Sequence, residues 1–173
     1  MPKVEVATGL EFLEEPGIAI RSREQVRNYL LNRLSTTIPP DELAGFQTSY
    51  RLFGLLPDTL ELNDLLIRLY TEQVVGYYDP DSTTLYVVDR SDPLQVSLVL
   101  AHELVHALQD QYTDVDSLLS ILRESDRAAA AQAVLEGQAT LASIKVMLPE
   151  TDISQFSGFW EQARQTVAQN QQS

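Results

Sequence analysis

The sequence predicts an α+β fold, mainly helical, and three observations predict it. Most of the 173 residues fall into stretches where apolar side chains recur at helical spacing or sit between helix-capping signals. Stretches rich in β-branched and aromatic residues are short and occur in only two places. With 44% hydrophobic residues and no cysteine, the chain can bury one core without disulfide staples, so a single domain over 1–173 is expected.

The N-terminal stretch MPKVEVATGLEFLEEPG carries Lys3, Glu5, Glu11, Glu14 and Glu15, which leaves no apolar run of the signal-peptide kind. GIAI, residues 17–20, reads as a strand. Ser22 follows, and its hydroxyl can cap a helix while Gln25 answers three positions later, so a helix is expected to about Leu34. Pro39 and Pro40 break the chain around a short helix. Asp58 and Glu61 repeat the capping spacing ahead of Leu62, Leu65, Leu66 and Leu69, which predicts a helix to about Glu72.

The period then changes. Val74–Tyr78 and Thr84–Val88 read as strands joined by a DPDS turn, which makes a hairpin. Pro93, behind Ser91 or Asp92, opens the next helix, because proline in the first turn lacks only an N–H that would be unpaired anyway. That helix is apolar on nearly every face through Val105 and Leu108, so it is expected to be central and packed all round. SDRAAAAQAVLEGQATLASIKVML, residues 125–148, is a second long helix. Residues 151–173 are expected to form a C-terminal helix and a polar tail.

Charge and composition exclude several functions. Lys and Arg total 12 against 25 acids, a net charge of −13, so the basic stripe that nucleic acid requires is lacking. No stretch reaches the length of a membrane span. Thiolate sites and cysteine nucleophiles are out. The composition suits either the cytoplasm or an extracytoplasmic space.

VLAHELVHALQDQ, residues 99–111, holds both histidines of the chain. His102 and His106 are four apart, so on a helix they stack on one face and can point two imidazoles at one ion, with Glu103 at the edge of the same site. A catalytic zinc needs a third protein ligand, and with no further histidine or cysteine it must be a carboxylate. Asp110 lies about 12 Å of helix rise beyond His102, too far along one straight helix to close on the same ion. Glu136 stands among Ala129, Ala133, Gly137 and Ala139, small residues that would let a partner backbone approach, and beside Val134, Leu135 and Leu141. An acid so placed wants a charged partner, and Glu136 is the expected third ligand. Glu124 and Asp126 are the alternatives, with Asp126 also suited to hydrogen-bonding a histidine from behind.

HELVH at 102–106 followed by EGQA at 136–139 resembles the gluzincin zinc metallopeptidases, in particular the small minigluzincin-like scaffolds, and GYYDPDSTTLYVV is similar to a hairpin of that group. The likeness covers roughly residues 70–145. It implies a small zincin-like sheet, a central active-site helix, a packed glutamate helix, and Zn2+ on His102, His106 and Glu136. It also implies that Glu103 is the catalytic general base for cleavage of a peptide or protein substrate, and that Thr84–Val88 lines the cleft and pairs with an extended peptide. The sequence departs from thermolysin, whose glutamate helix begins with asparagine. Gln109 and Tyr112 stand where a metzincin has glycine and histidine.

No tyrosine among Tyr77, Tyr78 and Tyr112 is singled out as the group that stabilises the oxyanion. Two other readings remain open at the level of sequence. One is a latent or inactive zincin-like domain, blocked by a C-terminal helix bearing Phe156, Phe159 and Trp160 or using zinc structurally. The other is a metal-free acidic interaction module.

Overall fold

In the computed structural model the described residues are 1–115, 118, 125–152 and the isolated positions 155, 158, 161, 164 and 165. The architecture is α+β and mainly helical, with one small mixed sheet. In chain order the elements are α1 (Pro2–Thr8), β1 (Gly17–Arg21), α2 (Arg23–Thr37), α3 (Pro40–Leu52), α4 (Leu62–Gln73), β2 (Gly76–Asp79), β3 (Thr84–Val88), α5 (Pro93–Tyr112) and α6 (Ser125–Met147). Glu124, Phe156, Phe159 and Trp160 lie outside the described residues, and so does most of the expected blocking helix.

Local chemistry accounts for most element boundaries. Ser22 and Gln25 close a full capping box at the start of α2, each side chain bonding the other's backbone N–H. The Asp92 carboxylate accepts the N–H groups of Leu94 and Gln95 at the start of α5, where Pro93 has none to offer. The cap expected at Asp58 and Glu61 does not form. α4 starts behind Glu61 with no side-chain cap, because the Glu61 carboxylate is drawn instead to Arg51 at 2.9 Å. The helix around the paired prolines is longer than expected, running thirteen residues from Pro40, with Asp41 and Glu42 in its first turn to complement the helix dipole. The N-terminal α1 was not legible as an element. One apolar residue, Val4, anchors it, 2% exposed.

β3 is the middle strand. β1 pairs with it in parallel from Gly17↔Thr84 to Arg21↔Val88, and β2 pairs antiparallel from Gly76↔Val87 to Asp79↔Thr84. Both edges of Thr84–Val88 are therefore occupied, and the expected pairing of that strand with an extended peptide is overturned. β1 and β2 are the outer strands of the sheet, and α5 packs against β2. A Cβ built on Gly76 would lie 2.9 Å from the Tyr86 carbonyl oxygen and 3.3 Å from Val99 Cγ1, so the approach of β2 to β3 and α5 leaves space only for glycine.

The core at the site is a three-helix contact. Val4 of α1, Val105 and Leu108 of α5, and Ala139 and Ala142 of α6 are all buried together, with Leu10, Phe12, Leu104 and Val146 around them. α5 is not packed all round, as its composition suggests. Leu94 and Leu98 in its first turns are 72% and 48% exposed, and burial begins at Ala101. Nor do all the small residues of α6 admit a neighbour. Ala139 is fully buried, but Ala133 is exposed and the space around Gly137 is open. No described helix is long and apolar enough to cross a membrane.

Candidate metal centre

The burial of Val105 and Leu108 on one face of α5 turns His102 and His106 toward α6, one helical turn apart. Their rings meet edge to face with centroids 4.7 Å apart, and their Nε2 atoms lie 3.0 Å from each other. From α6, Glu136 Oε2 lies 3.1 Å from His102 Nε2 and 3.5 Å from His106 Nε2. Zinc bonded at 2.0–2.1 Å to tetrahedral ligands sets neighbouring donors about 3.3 Å apart, and two nitrogens with a carboxylate oxygen form a zinc donor set. The three residues therefore fit the ion in both spacing and chemistry. They are the one group of three potential metal-ligating side chains that comes together among the described residues.

The imidazole side chains are 25% and 22% exposed and that of Glu136 is 48% exposed, so the three donors are partly open to solvent. This corrects the setting expected for Glu136. Val134 beside it is 72% exposed, and what brings the carboxylate to the histidines is the burial of Ala139 and Ala142 along α6.

Glu103 sits next to His102, bonds the sheet and lines the same cavity as His106 and Glu136. Its Oε2 accepts the backbone N–H of Tyr78 at 2.9 Å, a donor on the outer edge of β2. Burial pushes the Glu103 carboxyl above the ordinary carboxylate range, outweighing the pull of His106, the Tyr78 N–H and His102 in the opposite direction. A cavity of about 290 Å³ opens beside it, lined among others by Tyr29, Tyr78, Glu103, His106, Asp110 and Glu136.

The remaining candidates are placed as follows. Asp110 accepts the Tyr78 hydroxyl at 3.0 Å and lies away from the ion-binding donors. Burial and the Asp110 carboxylate together push that hydroxyl's pKa up, so it stays a donor. Tyr112 donates to the Glu11 carbonyl at 2.8 Å, which with Gln111 bonded to Leu13 and Glu14 ties the N-terminal segment to the end of α5. Tyr77 is engaged by Arg21. Of the three tyrosines weighed for oxyanion stabilisation, Tyr78 alone lines the cavity. Asp126 is exposed at the start of α6, and the ring nitrogen of His106 that faces away from Glu136 is bonded to another residue, Gln109, at 2.8 Å.

Gln109 is the residue that motif reading passes over. It is a buried polar side chain, 5% exposed, three positions after His106 on the same helix face. That spacing on a ligand-bearing helix is the signal by which it could have been found. The chain matches no protein-family model, no curated protein and no solved structure.

Proposed function

We propose that this chain is a zinc-dependent peptide-bond hydrolase of gluzincin-like type, with His102, His106 and Glu136 as metal ligands and Glu103 as general base. The observation that carries the reading is the spacing of two imidazole nitrogens and one carboxylate oxygen from separate helices at 3.0, 3.1 and 3.5 Å, beside a partly buried glutamate. When bound, zinc supplies Lewis acidity, drawing the pKa of a coordinated water toward about 7 and polarising a carbonyl.

The chain's own groups do the rest. Tyr78 N–H holds Glu103 Oε2, which leaves Oε1 as the oxygen that takes a proton from the attacking water and returns it to the leaving amine. The cavity beside Glu103 is where a peptide substrate would lie, since both edges of β3 are already paired.

The test is zinc content by elemental analysis together with cleavage of a fluorogenic peptide library, on wild type, Glu136→Ala and Glu103→Gln. The reading expects near one zinc per chain in wild type and in Glu103→Gln, much less in Glu136→Ala, and hydrolysis by wild type alone. Wild type that takes up no zinc would return the histidines to a structural role and favour a metal-free interaction module. Undiminished cleavage by Glu103→Gln would remove the general base.

A further inference from the structure

Gln109 spends three hydrogen bonds in a place where a leucine would bury as well. Its Oε1 faces His106 Nδ1 at 2.8 Å, and its Nε2 lies 2.9 Å from both the Leu135 carbonyl and Gln138 Oε1. An amide can often be turned end for end, but here the backbone decides. The Leu135 carbonyl is only an acceptor, so the Gln109 NH2 must face it and Oε1 must face the imidazole. An oxygen facing Nδ1 can only accept, so Nδ1 carries the proton of the neutral ring. The lone pair is then on Nε2, the nitrogen that stands 3.5 Å from Glu136 Oε2 and 3.0 Å from His102 Nε2.

The same side chain grips α6 at Leu135, the residue before Glu136. One amide therefore sets the tautomer of a ligand on α5 and fastens α5 to the backbone that carries the ligand on α6. We infer that Gln109 is a positioning residue of this site: it holds His106 as the Nδ1–H tautomer with Nε2 bare, and registers α6 so that Glu136 meets both imidazoles. The role in metal binding rests on the proposed zinc site; the tautomer does not.

The experiment is a pair of measurements on wild type, Gln109→Leu and Gln109→Glu. In metal-free, 15N-labelled protein, at a pH where the ring is neutral, long-range proton–nitrogen spectra assign the proton of His106. Competition with a chromogenic chelator then gives the affinity for zinc alone. Wild type is expected to carry the proton on Nδ1. Gln109→Leu should lose that preference and bind zinc about 10–100-fold more weakly, the usual cost of losing a partner behind a metal-ligating histidine. Gln109→Glu keeps an acceptor for Nδ1–H, so it should retain the tautomer and bind zinc more tightly than Gln109→Leu.

His106 protonated on Nε2 in wild type overturns the inference without any variant, and so covers the case of a Gln109→Leu protein that does not fold. A Gln109→Leu protein that melts earlier but keeps tautomer and zinc affinity overturns it too, since the side chain would then be structural. Gln109→Glu behaving like Gln109→Leu would show that the acceptor is not what matters. Wild type that binds no zinc but has Nδ1 protonated sinks the zinc reading and leaves the assignment of Gln109 to His106 standing.

Discussion

Glu103, the proposed general base, illustrates how burying an acid costs the metal-free fold. Burial raises its carboxyl above the ordinary range, so the folded protein disfavours the charged form relative to the unfolded chain. Such a group withdraws stability as the pH rises through its folded pKa and withdraws none below the unfolded value of about 4. Glu103→Gln has the same shape, carries no charge and can still accept the Tyr78 N–H. In the presence of a chelator at pH 7 the variant should melt at or above the wild-type temperature, and its advantage should vanish near pH 4. A wild type that is the more stable of the two at pH 7 would mean that the attraction of His106 and the Tyr78 N–H outweighs burial. At this scale the sequence was most informative about His102, His106 and Glu136, because helical spacing alone stacks the first two and the supply of donors restricts the third to a carboxylate. Gln109 carried no signal but its spacing from His106, because a glutamine on a helix reads as solvent-facing until the burial of its neighbours is known.

Elements were legible where a cap or a turn is written in adjacent residues and illegible where distant packing decides. The Ser22 box and the Asp92 cap depend on side chains within three positions, and both form. The Asp58 and Glu61 spacing satisfies the same local rule, yet Arg51, from the helix before, takes the Glu61 carboxylate. The hairpin could be read from its alternation, but the insertion of β1 on the far side of β3 could not, because parallel pairing joins residues 67 positions apart in the chain. Gly76 was likewise an ordinary strand glycine until β2 was seen between β3 and α5. Gly76→Ala must move the Tyr86 backbone or Val99, and a misfit of this kind costs about 1–3 kcal/mol. Chemical denaturation should show that loss with an unchanged denaturant slope. Because the Tyr78 N–H lies two residues along the same strand, the variant should also lose the proposed hydrolytic activity beyond what its unfolded fraction accounts for. A Gly76→Ala protein as stable as wild type would mean that β2 can shift without cost.

For the molecule as a whole, the proposed site would have two helices that are successive among the described residues, α5 and α6, share one ion. α5 and α6 meet through Val105, Leu108, Ala139 and Ala142, and that apolar packing brings the three donors together. An ion that binds the assembled site and not the unfolded chain adds stability by mass action, about 2.7 kcal/mol at a free concentration one hundred times Kd. For a chain of this size each kcal/mol moves the melting temperature by about 2–4 °C, so saturating zinc should raise it by roughly 5–10 °C. The net charge of −13 offers any divalent cation weak, scattered sites, and magnesium at the same concentration measures that background. Glu136→Ala is the variant that separates the two effects. Its side chain is half exposed, so its loss should change the metal-free melting temperature little while removing most of the zinc shift. A zinc shift that survives in Glu136→Ala, or that magnesium reproduces in wild type, would place the stabilisation on the acidic surface and not at the meeting of α5 and α6.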